Sequence, residues 1–172
     1  NDSLVMSETL AQLLVSLASG GAVTAEDIDA ALAADNTAKG GELAAQAKAA
    51  LPNAEAKRSA WASLIDTDEQ PNTIVRATAA GFTHPATVAQ QREFVDAYFE
   101  MLLPVWEART YQIANYLIVG LYPAGMADAV LRDATHAWLG ANADAPAALR
   151  RLVNENVATV ERALQVQQQD KR

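Results

Sequence analysis

The stretch from Tyr98 to Pro123, YFEMLLPVWEARTYQIANYLIVGLYP, constrains the fold more than any other part of the sequence. It carries most of the aromatic residues and the longest apolar run. Between Tyr111 and Tyr122 only Gln112, Asn115 and Gly120 interrupt the apolar character. A segment apolar around most of its circumference, and too short to span a bilayer, reads as a helix buried in a protein core. Upstream, Val95, Tyr98, Phe99 and Leu102 share one helical face, which Val105 and Trp106 continue. Pro104 has no amide hydrogen, so it either kinks this helix or opens a new one as its first residue. The pattern predicts Tyr111–Tyr122 as the most buried helix, with the others packed around this pair.

A chain of 172 residues suits one domain spanning 1–172. Of its residues 51% are hydrophobic, but alanine supplies much of that share, so the core has to rely on close helix approach rather than bulky side chains. Alanine is also the best helix former, and β-branched and aromatic residues are few, so an all-α fold follows. The net charge of -8, with no basic run, opposes binding to a phosphate backbone and argues against nucleic acid as a partner. The sequence has no cysteine, which removes disulfides, thiolate chemistry and cysteine metal sites, and agrees with a cytoplasmic location. No stretch reads as a signal peptide or a membrane span. The first residue is Asn1 rather than methionine, which suggests processing or a fragment of a longer protein.

Leu10, Leu13, Leu14 and Leu17 form the stripe of a first helix, ended by Gly20-Gly21 as a left-handed cap. Thr24 reads as the next N-cap, with Asp27 three residues on and a stripe of Ile28, Ala31 and Leu32. A polar connection from Asp35 to Gly41 leads to an alanine-rich helix that stops before Pro52. Asn53 caps a helix burying Trp61, Leu64 and Ile65, and Asn72 opens a shorter one through Ile74, Ala77 and Thr78 to Gly81. Beyond Pro123, Ala127, Val130, Leu131, Ala134 and Trp138 mark another helix. Pro146 suits the first turn of the last one, whose face is Leu149, Leu152, Val153, Val157, Val160 and Leu164. Residues 165–172 read as a frayed polar tail. Short connections imply antiparallel neighbours, a HEAT-like α-solenoid stack of helical hairpins. The 45-residue separation of Trp61 and Trp106 falls within the period of such repeats.

The candidate chemistry is sparse. His84 and His136 are far apart in sequence and lack the paired spacing a helical zinc site needs; His84 reads as a solvated loop residue and His136 as a helix-end residue. Asp66, Asp68 and Glu69 sit together in an apparent turn, which favours an exposed charged loop over an acid–base pair. Arg150 and Arg151 have the chemistry to grip a carboxylate, although Arg151 can equally pair with Glu155 one turn away. Trp61, Trp106 and Trp138 read as core anchors. There is no serine elbow and no glycine-rich phosphate loop. No catalytic, cofactor-binding or metal-binding residue is assigned.

Residues distributed through the chain carry a resemblance. They include Asp35 with Thr37 and Gly40, Ala50-Leu51-Pro52, Glu55-Ala56-Lys57 leading to Trp61, Asn72, and Gly81-Phe82. Further on come Tyr98-Phe99, Val105-Trp106-Glu107 with Arg109, and Gly120-Leu121-Tyr122-Pro123. Trp138-Leu139, Leu149-Arg150-Arg151, Glu155 and Glu161-Arg162-Ala163-Leu164 complete the set. Together they make the chain resemble the C-terminal helical domain of the aminopeptidase N family of zinc metallopeptidases, in its actinobacterial form. In that family the zinc ligands (an H-E-x-x-H segment and a distant glutamate) and a G-x-M-E-N substrate segment lie upstream. None of those motifs occurs here. The resemblance therefore implies a non-catalytic piece of a zinc aminopeptidase, covering the active-site chamber, with the upstream catalytic domain and peptide substrates as partners. The competing expectation is a free-standing helical adaptor that binds proteins on a solenoid surface.

Overall fold

The computed structural model describes residues 2–34 and 37–170, with side chains from residue 11 onward. Among these, every regular element is helical. Contacts divide the chain into two compact units, Asn1–Gln90 and Gln91–Arg172.

The first unit contains α1 (Asp2–Ser19), α2 (Ala25–Ala34), α3 (Ala38–Ala50), α4 (Ala54–Ile65) and α5 (Asn72–Phe82). A 3-10 turn at Pro85–Thr87 then leads into the short α6 (Val88–Gln91). The helix boundaries follow from local chemistry. Gly21 takes φ +73, which lets the Gly21 amide reach the Ala18 carbonyl and the Ala22 amide reach that of Leu17, each at 2.9 Å. Those two bonds use up carbonyls that the end of α1 would otherwise leave open. Thr24 and Asp27 bond reciprocally to close the start of α2. The Thr37 hydroxyl accepts from the Gly40 amide at 3.0 Å, and the Asn53 side chain from that of Ala56 at 2.8 Å, which start α3 and α4.

The unit is organised on α3, which packs most extensively against α5 and also meets α1, α2 and α4. Its buried residues are Gly40 and four alanines, Ala44, Ala47, Ala49 and Ala50. Small side chains let the partner backbones come close, and the limit is reached at Gly81 of α5. A Cβ there would lie 2.0 Å from the Gln46 carbonyl oxygen and 3.0 Å from the Ala49 Cβ. The same geometry redirects α1. Among its described residues Val15, Ala18 and Ser19 are buried and Leu14 packs beside them, while Leu13 and Leu17 are 52% and 38% exposed. The leucine stripe expected from the sequence is therefore rotated. An alanine-lined partner accepts the smaller residues at closest approach and turns the bulkier ones outward. The Leu10 side chain and Asp35 lie outside the described residues. Ala31 of α2 is exposed, leaving Ile28 as that helix's buried anchor.

The second unit opens with a 3-10 turn (Arg92–Phe94), followed by α7 (Val95–Ala108) and α8 (Tyr111–Gly120). A 3-10 turn at Ala124–Met126 connects these to α9 (Ala129–Ala141) and α10 (Ala147–Gln169). Pro104 opens no new helix, because α7 runs through it. Both Pro104 and Glu100, whose carbonyl loses its usual donor, are exposed, so water can replace the missing bond. Tyr98 is buried at the centre, edge-on to Phe99 at 5.2 Å and tilted against Tyr122 at 5.4 Å.

The expectation that Tyr111–Tyr122 forms the most buried helix is corrected. Leu117, Ile118 and Leu121 are enclosed, but Ile113 is only half-buried and Tyr111 and Val119 are 54% and 45% exposed. A ten-residue helix packed on α7 and α10 has one covered face, and Tyr111, Gln112 and Val119 remain outside. Val130 of α9 is likewise exposed, and Ala127 precedes that helix in a left-handed conformation at φ 42. The face expected of α10 is present from Leu149 to Val160.

Gly81→Ala is expected to destabilise the chain by about 2 kcal/mol or more. The gain of up to about 1 kcal/mol in helix propensity is outweighed by a backbone clash. Gly140→Ala, whose Cβ meets nothing within 4 Å, should instead be neutral or stabilising by up to about 1 kcal/mol. Urea unfolding of the two variants checks both signs.

Candidate functional site

A groove of about 1090 Å³ in the first unit is lined by α2, α3, α4 and α5. Its floor is the face of α3 bearing Gly41, Ala44, Ala45 and Ala49, and Leu32 and Ile74 stand at its walls. Polar groups also line it: Ser59 and Ser63 from α4, Gln70, and Thr78 from α5. Three charged residues reach it. Lys48 is ion-paired with Asp29. Glu26 and Glu55, in the first turns of α2 and α4, make no ion pair among the described residues.

Lys57 is a buried cation in the same unit. Its side chain is fully enclosed, and its ammonium donates to the Ala49 carbonyl at 2.7 Å, the Phe82 carbonyl at 3.0 Å and the Thr87 hydroxyl at 2.9 Å. The ammonium also lies 5.4 Å from the centroid of the Phe82 ring. The two carbonyls belong to the last turns of α3 and α5, where the chain has no further amide to offer and where a positive charge meets the negative end of each helix. Burial pushes the Lys57 amine down to about 8. The three acceptors act in the opposite sense, and the group is predominantly charged at neutral pH. His84 caps the turn that carries Thr87, accepting from the Ala86 amide at 3.2 Å through Nδ1. Burial, and then the Lys57 charge, hold its imidazole below the usual histidine range.

In the second unit the enclosed polar groups form a matching arrangement. The Ile118 carbonyl, in the last turn of α8, accepts from the Tyr98 hydroxyl at 2.6 Å and the Asn156 amide at 2.9 Å. Asn156 also donates to the Tyr98 oxygen at 3.0 Å. Burial raises the Tyr98 hydroxyl well above the usual tyrosine range, so it stays protonated. Arg150 donates to the Leu139 and Asn142 carbonyls at the end of α9, each at 2.6 Å.

These bonds account for several residues the sequence singled out. Arg150 grips two carbonyls rather than a carboxylate. Arg151 lies 3.8 Å from Glu155 as a helical i, i+4 pair. His136 sits within α9, not at its end, and meets Glu161 at 2.8 Å. His84 is half-buried rather than freely solvated. Asp66, Asp68 and Glu69 are exposed. Trp61, Trp106 and Trp138 are half-buried; Trp61 packs on Phe82 at 5.6 Å and Trp106 edge-on to Tyr111 at 5.8 Å. Among the described residues, no group of three or more His, Asp or Glu is placed to hold a metal ion.

Sequence reasoning missed Lys57 and Asn156. Each left a signal. Lys57 precedes Trp61 and Leu64 at spacings of four and seven, and Asn156 falls among Leu152, Val153, Val157 and Val160. A polar residue on an apolar stripe is either misplaced or bonded.

Comparison with known proteins agrees with the resemblance carried by the distributed residues. The family model described as the ERAP1-like C-terminal domain matches residues 1–162. Aminopeptidase N of Streptomyces lividans is 40% identical over 154 residues, which cover 90% of this chain and 18% of that protein.

Lys57→Met is expected to lower stability at neutral pH by on the order of 1–3 kcal/mol, because two carbonyls and a hydroxyl lose their donor. With the amine's affinity for protons reduced from 10.5 in the unfolded chain to about 8 in the folded one, the unfolded chain holds more protons between those values. This group therefore makes stability rise with pH across that window. The advantage of the native chain over Lys57→Met should widen from about pH 8 to pH 10.5 in denaturant titrations. A gap that narrows there would show that the three acceptors hold the amine charged.

Proposed function

This chain belongs to the ERAP1-like C-terminal domain family, and from that premise we propose that it is the non-catalytic C-terminal domain of a cytoplasmic zinc aminopeptidase, an enzyme removing amino-terminal residues from peptides. The observation that carries this reading is the 40% identity to an aminopeptidase N of which the chain spans only 18%. In this reading the zinc and its ligands belong to a catalytic domain upstream in the same protein, and the present residues cover the chamber in which peptides are held. A scaffold of tied helices suits the task, since it presents a wide, stiff surface while the chemistry stays on another domain. The excess of 21 acidic over 13 basic residues supplies a negative potential, which favours peptides with protonated amino termini. Enclosure acts on substrate position and on the exclusion of long chains more than on the metal's own chemistry.

Removing these 172 residues from the longer protein is expected to leave its zinc content unchanged while slowing turnover and weakening discrimination by peptide length. Metal analysis and hydrolysis rates over a series of peptide lengths provide the comparison, with circular dichroism confirming that the remainder is folded. Unchanged rates at every length would remove the chamber role and favour a helical adaptor.

A further inference from the structure

Among its described residues, α1 is covered on one side only. Val15 and Ala18 belong to one buried cluster with Ile28 of α2 and Ala44, Ala47 and Ala50 of α3. On the other side Gln12, Leu13, Ser16, Leu17 and Gly20 are exposed, Leu13 at 52% and Leu17 at 38%. An exposed leucine alone needs no explanation, since folded proteins carry much apolar surface. What sets this face apart is its lack of charge. No Asp, Glu, Lys or Arg occurs between Glu8 and Glu26, although 20% of the chain is charged. Val130 and Val166, exposed in the second unit, each have a charged residue one turn away, Asp133 and Arg162. A helix apolar around most of its circumference belongs among neighbours on more than one side, and depletion of charge marks the centre of a protein interface.

We propose that the face of α1 bearing Leu13 and Leu17 is the stacking surface for a further helix of the same polypeptide, N-terminal to Asn1. Leu13 and Leu17, one turn apart, form a ridge. Ser16 and Gly20 form the row beside it, small enough for the apolar side chains of a second helix to settle there. Other occupants fit less well. α1 carries no lysine or arginine to hold it on an anionic lipid surface. Two leucines and their small neighbours offer far less than the roughly 1,200–2,000 Å² that a stable complex of separate proteins buries. A helix tethered to the same chain is held at high local concentration and needs much less. The matched residues make up 18% of the Streptomyces lividans aminopeptidase N, so that protein has ample polypeptide to supply one. This contact deepens the peptidase reading, on which it rests: α1 continues a helical stack of the longer protein, each layer covering the next.

The chain has no cysteine, so Leu17→Cys supplies a single thiol in it. Its alkylation by iodoacetamide, read by mass spectrometry at that residue, is compared between the 172-residue chain and the longer protein, each against its rate in denaturant. In the 172-residue chain the native and denatured rates are expected to agree within about fivefold, as for an open thiol. In the longer protein the native rate should fall about 100-fold or more, because the thiol reacts only when the contact opens. Leu13→Glu/Leu17→Glu makes a second comparison. Both residues are exposed, so the 172-residue chain should keep its urea midpoint, whereas the longer protein should unfold at lower urea. Equal labelling in the two proteins, an unchanged midpoint of the longer protein with both glutamates, or a native protein consisting of these 172 residues alone would each overturn the proposal. So would protection in the 172-residue chain that grows with its concentration, which would assign the face to a second copy. Zinc content and peptide hydrolysis of the longer protein judge the peptidase reading separately, since Leu17 can be covered in a longer protein of any activity.

Discussion

A helix that stops inside a protein leaves its last carbonyls facing a medium with no water to bond them, and a buried carbonyl without a donor is costly. Four helices here solve that problem with side chains borrowed from elsewhere in their own unit. Lys57 of α4 serves the ends of both α3 and α5. Tyr98 of α7 and Asn156 of α10 serve the end of α8, and Arg150 of α10 serves the end of α9. Each donor is long enough to cross from one helix to the terminus of another. Each bond therefore also fixes where that helix ends relative to its neighbours. An apolar contact would tolerate sliding by a fraction of a turn; a lysine shared among three acceptors does not.

This dependence sits beside a packing scheme with little volume to spare. The α3–α5 contact is made of alanine, glycine and backbone, so it gains stability from closeness and many weak contacts rather than from large side chains. Such an interface has no flexible side-chain ends to absorb an added methyl group. On α1, Leu13 and Leu17 face outward while Leu14 packs beside Val15 and Ala18.

Much of this was legible from local chemistry. The Thr24–Asp27 pair, the Asn53 cap, the Gly20-Gly21 terminus and the α10 stripe each depend on residues within a turn or two, and each appears as the sequence indicated. Legibility failed where the outcome depends on what lies opposite. Leu13, Leu17 and Val130 match a helical apolar pattern, but pattern alone does not say which side faces a partner. The nearly uninterrupted apolar run of α8 suggested full burial, yet burial is set by how many neighbours surround a short helix, and α7 and α10 leave Tyr111 and Val119 exposed. Lys57 and Asn156 were hard to read as bonding groups because most of their partners are backbone carbonyls, which carry no residue signature, and the rest lie 30 and 58 residues away.

The enclosure of Lys57 has a further consequence for amine chemistry. Lys39 and Lys48 are open to water, and an acylating reagent can reach them without any change of conformation. Lys57 has no solvent path, and its nitrogen is occupied by three acceptors drawn from α3, the end of α5 and the following turn. Its acylation thus requires those elements to separate, and once acylated the amine can no longer bond all three. The rate at which this one lysine is modified is a clock for opening of the first unit. The mark it leaves is an obstacle to reclosing, so that even brief excursions would accumulate as chains unable to re-form the α3–α4–α5 junction.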